Sequence, residues 1–298
     1  MNANYIYLRS VAALLRSLAG IMQGKKPALP AGITKTRIEI ESRDAGRKIT
    51  VDVYERDGAK GVQPVHINAH GSGFVIPSHG DDGEFCAHLA LKAGVVVLDA
   101  DYRKAPEHPF PSAYNDILDV IAYARSQSSI YDGSRISVSG FSAGANLVMS
   151  TAVNLEIGAI KTVVSFYGNT NLTESFDAPS SNYDSGIIIT PRLRKFFYSS
   201  LLQNGEDRRD TRLSPHLADP ERWPNNVMLV CGEADDLWGA GKATADKLQG
   251  AGKNVKWISV ENEAHSFDKR AKGAASEKRK WEAYDQAAEF VSNANGNS

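Results

Sequence analysis

The chain has 298 residues, 42% hydrophobic and 23% charged, with 25 Gly and 12 Pro, proportions that argue against disordered, collagen-like and coiled-coil classes. Its 34 Lys and Arg against 35 Asp and Glu leave a net charge of −1, too little to gather nucleic acid or anionic lipid at long range. The two cysteines, Cys86 and Cys231, are too few for a disulfide framework or a Cys-rich zinc site and read as buried thiols.

The first segment sets Tyr7, Val11, Leu14, Leu15, Leu18 and Met22 at helical spacing, with Arg9, Arg16 and Ser17 between them. This is an amphipathic helix whose apolar stripe needs a surface to cover, ended by Gly24-Lys25-Lys26-Pro27. Its apolar run from Val11 to Met22 is broken by Arg16, lacks a small-residue cleavage site and is too short to span a membrane. Integral membrane association is therefore not expected, and cytoplasm is the default address. Asn171-Leu172-Thr173 would be a glycosylation acceptor on export.

The alternating stretches Thr36 to Glu41 and Ile49 to Glu55 read as paired antiparallel strands. Strands and helices then take turns. Val65 to Ala69, Val95 to Asp99, Arg135 to Ser139, Thr162 to Tyr167, Val227 to Cys231 and Val255 to Val260 read as strands. Asp82 to Lys92, Ser112 to Ser128, Ala143 to Glu156, Gly239 to Gly250 and Ala275 to Ser292 read as helices. The expected fold is α/β, a mostly parallel twisted sheet with helices on both faces, which places substrate at the carboxyl ends of the strands. Roughly sixty residues between Tyr167 and Val227 carry no clean strand, only the helix-like run Pro191 to Leu202, and read as an insertion. With no repeat or linker, one domain over residues 1–298 is expected, with a helical cap from about 1–30 and 169–215.

Gly140-Phe141-Ser142-Ala143-Gly144 lies between a predicted strand and a predicted helix, the setting in which G-x-S-x-G presents a nucleophilic serine. Small flanking residues allow the sharp turn, and the helix N-terminus behind Ser142 adds positive potential where an oxyanion would form. His70-Gly71-Ser72-Gly73-Phe74 follows the strand Val65 to Ala69. Its glycines let backbone amides converge, so Gly71 and Ser72 or Gly73, together with Ala143, are the candidate oxyanion donors. A dinucleotide loop is a poor competitor because the G-x-G-x-x-G spacing fails at Ile76.

These two motifs, with Asp101-Tyr102-Arg103-Lys104-Ala105-Pro106-Glu107-His108-Pro109-Phe110-Pro111, resemble the hormone-sensitive-lipase-like (family IV) group of α/β-hydrolase esterases. That group carries H-G-G-G-F, D-Y-R-L-A-P-E-x-P-F-P, G-D-S-A-G, D-P-L and H-G-F in this order. The resemblance runs from about Pro64 to the C-terminus and implies an α/β-hydrolase fold, a cap and serine esterase activity. Three positions depart from it. Ser72 stands for the middle glycine, where its Cβ would make positive φ costly. Phe141 stands for the acidic residue before the serine, and Ser266 for the glycine after the histidine.

The base and acid follow in chain order. His265 lies just past the strand Val255 to Val260, and Asp235 follows the strand Val227 to Cys231, giving the order Ser142, Asp235, His265. Asp235 aligns with the D of D-P-L, while Asp236 and, less directly, Glu233 are alternatives. His70 is expected to hold the oxyanion loop, and His66, His79, His88, His108 and His216 to be surface or core side chains. Asp101, Arg103 and Glu107 read as scaffold, and Asp99 as a carboxylate easily mistaken for the acid. No H-E-x-x-H, Cys and His cluster, EF-hand or phosphate loop occurs, so neither metal nor cofactor is expected.

The expected activity is a serine carboxylesterase acting on small to medium acyl esters through an acyl-enzyme. Alternatives are the same triad acting on a lactone, amide or natural-product intermediate by hydrolysis, acyl transfer or elimination, and a non-catalytic ligand-binding homologue. Tyr5, Tyr7, Tyr183, Phe196, Phe197 and Tyr198 are candidate apolar contacts from the cap. The expected partner is a small-molecule ester, with no nucleic acid, and two-fold association through a sheet edge is expected from the open sheet.

Overall fold

The computed structural model describes residues 3–22, 28–174 and 182–296. The expected helix end at Gly24-Lys25-Lys26-Pro27 and residues 175–181 of the insertion lie outside them. Eight strands form one sheet in the order β1-β2-β4-β3-β5-β6-β7-β8. β1 (Ile33–Glu41), β2 (Lys48–Arg56) and β4 (Val96–Ala100) pair antiparallel in sequence across the sheet. The others, β3 (Gln63–Ala69), β5 (Tyr131–Phe141), β6 (Thr162–Phe166), β7 (Asn226–Gly232) and β8 (Asn254–Val260), run parallel to their neighbours. The central strands are β-branched and buried on both sides, as a sheet covered on two faces requires.

One apolar cluster joins α3 (Ser112–Ser126), α4 (Ala143–Asn154) and α6 (Trp238–Gly250) to one face of the sheet. A second joins α2 (Gly83–Ala93) and α7 (Gly273–Ala294) to the other, and both expected thiols, Cys86 and Cys231, are buried and free. A third, much smaller cluster lies outside this sandwich. It packs Leu8 and Ala12 of α1 (Ala3–Met22) on Val75, Ala105 and Phe196 and Phe197 of α5 (Pro191–Leu201).

α1 forms as expected but presents a different face. Tyr7 and Leu14, each 60% exposed, and Leu18 turn outward, while Leu8, Ala12, Val11 and Leu15 turn inward. Arg16 explains the rotation. Its guanidinium donates to the Val75 and Ala105 carbonyls at 3.0 and 2.8 Å and pairs with Glu107 at 2.8 Å, partners available only when Arg16 faces the protein. Among the described residues no helix is long and apolar enough to cross a membrane. Asn171 of the glycosylation tripeptide is buried, its side chain engaged by Thr173 and Glu174.

Candidate active site

The site is assembled by four loops at the carboxyl ends of β3, β5, β7 and β8. Ser142 stands between the end of β5 and the start of α4 with φ 52° and ψ −117°, a strained conformation that lifts its hydroxyl off the sheet. The turn is tight because Gly144 has no side chain: a Cβ there would overlap the carbonyl oxygens of Ala69 and His70. The Ser142 amide is spent on Phe166, donating to its carbonyl at 2.9 Å.

His265 Nε2 lies 2.8 Å from Ser142 Oγ, and its Nδ1 lies 2.8 Å from Asp235 Oδ2. His265 is 3% exposed, which shelters its bond to Asp235 from bulk water, while the bond to the half-buried Ser142 lies at the cleft. Asp235 is oriented in turn by the Leu237 amide at 3.0 Å. The His265 backbone is pinned from outside by residues 184–187, where its carbonyl accepts from the Ile187 amide at 2.8 Å. Ser266 adopts φ 59° and ψ 33°, which accounts for a glycine at this position in the resembling motif. The two alternative acids are engaged elsewhere: Asp236 pairs with Arg194, and Glu233 accepts from the Ser259 hydroxyl.

Around Ser142 the candidate donors Gly71, Ser72, Gly73 and Ala143 come together. Gly71 sits so close that a Cβ on it would be 3.6 Å from that of Ser142, and Gly73 and Ala143 border the same cleft as the serine. Among the described residues none of these four amides donates to a protein acceptor. The cost expected at Ser72 does not arise, because the positive φ angles fall on Gly73 (55°) and Phe74 (64°) instead. Ser72 becomes a brace: its Oγ accepts from the Phe74 amide at 2.8 Å and contacts the Tyr102 hydroxyl at 2.7 Å, which itself donates to the His70 carbonyl at 2.6 Å.

His70 is buried and stacked on Tyr102, and its Nδ1 is 2.9 Å from the Gly71 carbonyl. Burial and the nearby Lys104 ammonium lower its pKa to about 4, which keeps the ring neutral and makes it a weak proton acceptor. His66 is likewise buried, against Ser137, with a pKa lowered by burial to about 3. Arg103 holds Asp116 at 2.8 Å and Asp44 at 2.6 Å, while Lys104 holds Asp101 at 3.0 Å. Asp101, Arg103 and Glu107 are thus all engaged in bracing.

Asp99 belongs to another assembly. Asp52, Asp99, Asn68 and Ser139 form a polar row across four strands, with Asn68 donating to Asp99 at 2.9 Å and accepting from Ser139 at 2.8 Å. Burial, then the neighbouring Asp82, raises the Asp99 pKa to about 8. Oxygen and nitrogen atoms of Asp52, His79 and Asp99 all lie within 4.8 Å of one another, a spacing that a metal ion could use. The charge there is already balanced, because Asp52 pairs with Lys35 and Arg37, each at 2.7 Å. The donor set therefore fits a divalent cation poorly.

The cleft over Ser142 is narrow, about 40 Å³, and is lined by Phe74, Asn169, Ile189, Arg194, Phe197, Tyr198, Asp236 and Leu237 among others. Of the expected aromatic contacts, Phe197 and Tyr198 line it, whereas Phe196 packs between α1 and α5. Tyr7 and Tyr183 are exposed, and Tyr5 lies beside Arg9. Arg194 was not anticipated. The signal was present, since Arg194 precedes Phe197 and Tyr198 by three and four residues and so shares their helical face.

A family model described as alpha/beta hydrolase fold matches residues 66–269. Ethyl acetate hydrolase of Pseudomonas putida is 31% identical over 205 residues, covering 66% of this chain and 64% of that protein. Gibberellin receptor GID1C of Arabidopsis thaliana is 26% identical over 240 residues, covering 75% of this chain and 68% of the receptor. The chain thus spans less than two thirds of the first relative's length. Among solved structures, an esterase of Pyrobaculum calidifontis superposes with a TM-score of 0.78 at 26% identity, covering 97% of this chain and 91% of that one.

Proposed function

Because the chain belongs to the α/β-hydrolase family, in its hormone-sensitive-lipase-like group, we propose that it is a serine carboxylesterase with Ser142 as nucleophile, His265 as base and Asp235 as its orienting acid. The observation that carries this reading is the unbroken hydrogen-bonded chain Asp235–His265–Ser142, with both links at 2.8 Å.

His265 Nε2 takes the hydroxyl proton as Ser142 Oγ attacks the ester carbonyl carbon, and Asp235 holds the Nδ1 proton and stabilises the imidazolium. Negative charge collects on the carbonyl oxygen, facing the unengaged amides of Gly71, Ser72, Gly73 and Ala143 and the N-terminus of α4. Collapse breaks the ester C–O bond. The alcohol leaves with the proton from His265, and the acyl group stays on Ser142. Water, deprotonated by the same imidazole, then attacks the acyl-enzyme and releases the acid. The narrow cleft favours small acyl groups, and α1 with residues 169–215 forms a cap above it, the whole chain acting as one domain.

The receptor among the relatives supplies the second reading, a pocket that binds without turnover. A receptor needs neither a base nor a serine hydrogen-bonded to it, and this chain carries both. Turnover of p-nitrophenyl acetate and butyrate decides: Ser142→Ala is expected to lower kcat/KM at least about a hundredfold. Equal rates in the two proteins would remove Ser142 from the reaction.

A further inference from the structure

Behind the Ser142–His265 pair, on the α2 and α7 side of the sheet, lies a second charged assembly that proton transfer does not require. Its centre is Lys269, four residues after His265. The Lys269 Nζ is 2.9 Å from Asp82 Oδ1, 2.8 Å from Asp268 Oδ2 and 3.1 Å from the Tyr284 hydroxyl, and lies 3.8 Å from the centre of the Phe141 ring. Asp268 has two further donors, the Tyr167 hydroxyl at 2.5 Å and the Tyr284 hydroxyl at 2.6 Å.

Two of these contacts reach the reacting residues. Phe141 immediately precedes Ser142, and its ring stacks on Phe166, centre to centre at 4.7 Å. Tyr167 holds φ 40°, its amide donates to the Val230 carbonyl at 2.6 Å, and its ring packs 4.8 Å from the His265 ring. A single ammonium therefore touches the nucleophile's strand directly. It reaches the ring that supports the base through one carboxylate.

We propose that Lys269 is a positioning residue, fixing the turn that carries His265 against the end of β5 that carries Ser142. This rests on the serine-hydrolase reading. The need is geometric: Ser142 and His265 come from separate loops, and their hydrogen bond tolerates errors of only about 0.5 Å before transfer suffers. The His265 turn is already held by its backbone bond to Ile187 and by the buried Phe267 ring; charge-assisted bonds from one ammonium add short, directional ties between that turn and the end of β5. The charge pattern agrees. Burial opposes ionisation of Lys269, but Asp268 and Asp82 outweigh it and raise its pKa well above the ordinary lysine value. Asp268, although buried, is held below the ordinary carboxyl value by Lys269 and the two tyrosines.

An ion cluster of this kind also stabilises the fold, so the test must separate stability from positioning. Lys269→Met leaves both the Asp82 and the Asp268 carboxylates in the interior without their ammonium; adding Asp82→Asn removes the first of these charges, while Asp268 keeps the Tyr167 and Tyr284 hydroxyls as donors. Tyr167→Phe keeps the ring beside His265 and cuts its tie to Asp268. The double variant is expected to recover most of the thermal stability lost in Lys269→Met. Its kcat for p-nitrophenyl acetate should nevertheless stay about tenfold or more below wild type, with KM within about twofold. Tyr167→Phe should lower kcat severalfold at unchanged KM. Wild-type kcat in the folded double variant overturns the proposal, as does wild-type kcat in Tyr167→Phe should the double variant not fold. A wild-type protein that hydrolyses no ester and takes no phosphonate on Ser142 overturns the serine-hydrolase reading, and this inference falls with it.

Discussion

The floor and the roof of the cleft are built by different physics. Under Ser142, the elbow is set by backbone against backbone: Gly144 meets the Ala69 and His70 carbonyls, and the surrounding side chains belong to two extended buried clusters. On the side of the proposed cap, α1 and α5 meet through a few side chains, Leu8, Ala12, Val75, Ala105, Phe196 and Phe197, and α1 is tied down by the Arg16–Glu107 pair. A floor fixed by sterics has one arrangement, since no side-chain rotation relieves a backbone overlap. A roof held by a small cluster has fewer contacts to lose, although its Phe197 packs against Gly73 beside Ser142.

That contrast can be broken from the floor upward. Gly144→Ala should be the most damaging single change, because its methyl group must displace the β3 backbone. The expected loss is about 3 kcal/mol or more in urea unfolding, or failure to fold, and a mild effect would mean that the elbow is not sterically set. Asp99→Asn tests the polar row that crosses the sheet. The Asp99 carboxyl is raised to about 8 by burial and then by Asp82, above its unfolded value of about 3.9. Its neutral form therefore contributes stability that is complete below the unfolded pKa and is lost as pH rises through the folded one. Asparagine cannot ionise, so the variant should gain thermal midpoint over wild type, and gain more at pH 8 than at pH 5. An equal gain at both values would contradict the assignment of a neutral Asp99.

The roof should respond least and unevenly. Leu8→Ala is expected to cost about 2 kcal/mol, at the low end for a buried leucine because the cluster is small. Leu14→Ala, on the outward face of the same helix, should cost under about 0.5 kcal/mol. Similar costs for the two would mean that α1 sits on a different face.

The floor was also the part legible in the sequence. Strand periods and the Gly140 to Gly144 turn are local patterns, readable within a few residues, whereas the proposed order Ser142, Asp235, His265 spans 123 residues and followed from the resembling motifs, with Asp236 and Glu233 left open. The roof was only half legible. The helical period of α1 gave the helix, but Arg16 looked like an interruption of its stripe until Glu107 and two carbonyls supplied partners. Least legible was the assembly around Lys269. Asn68, Asp82, Asp268 and Tyr284 meet only through the tertiary fold, and a buried charge that finds its counter-charge on a distant element leaves no periodic trace. The strain expected at Ser72 misplaced a real cost by one and two residues, because the loop takes its left-handed turn at Gly73 and Phe74.

The central claim is that the Ser142 oxygen is the atom that attacks. Diethyl p-nitrophenyl phosphate traps such an oxygen, releasing nitrophenolate as the phosphoryl group is transferred, and mass spectrometry locates the adduct. The account predicts one nitrophenolate and one diethylphosphoryl group per chain, the latter on the peptide containing Ser142, and neither in Ser142→Ala. An adduct of equal yield in Ser142→Ala, or one carried on another residue of the wild type, would contradict it.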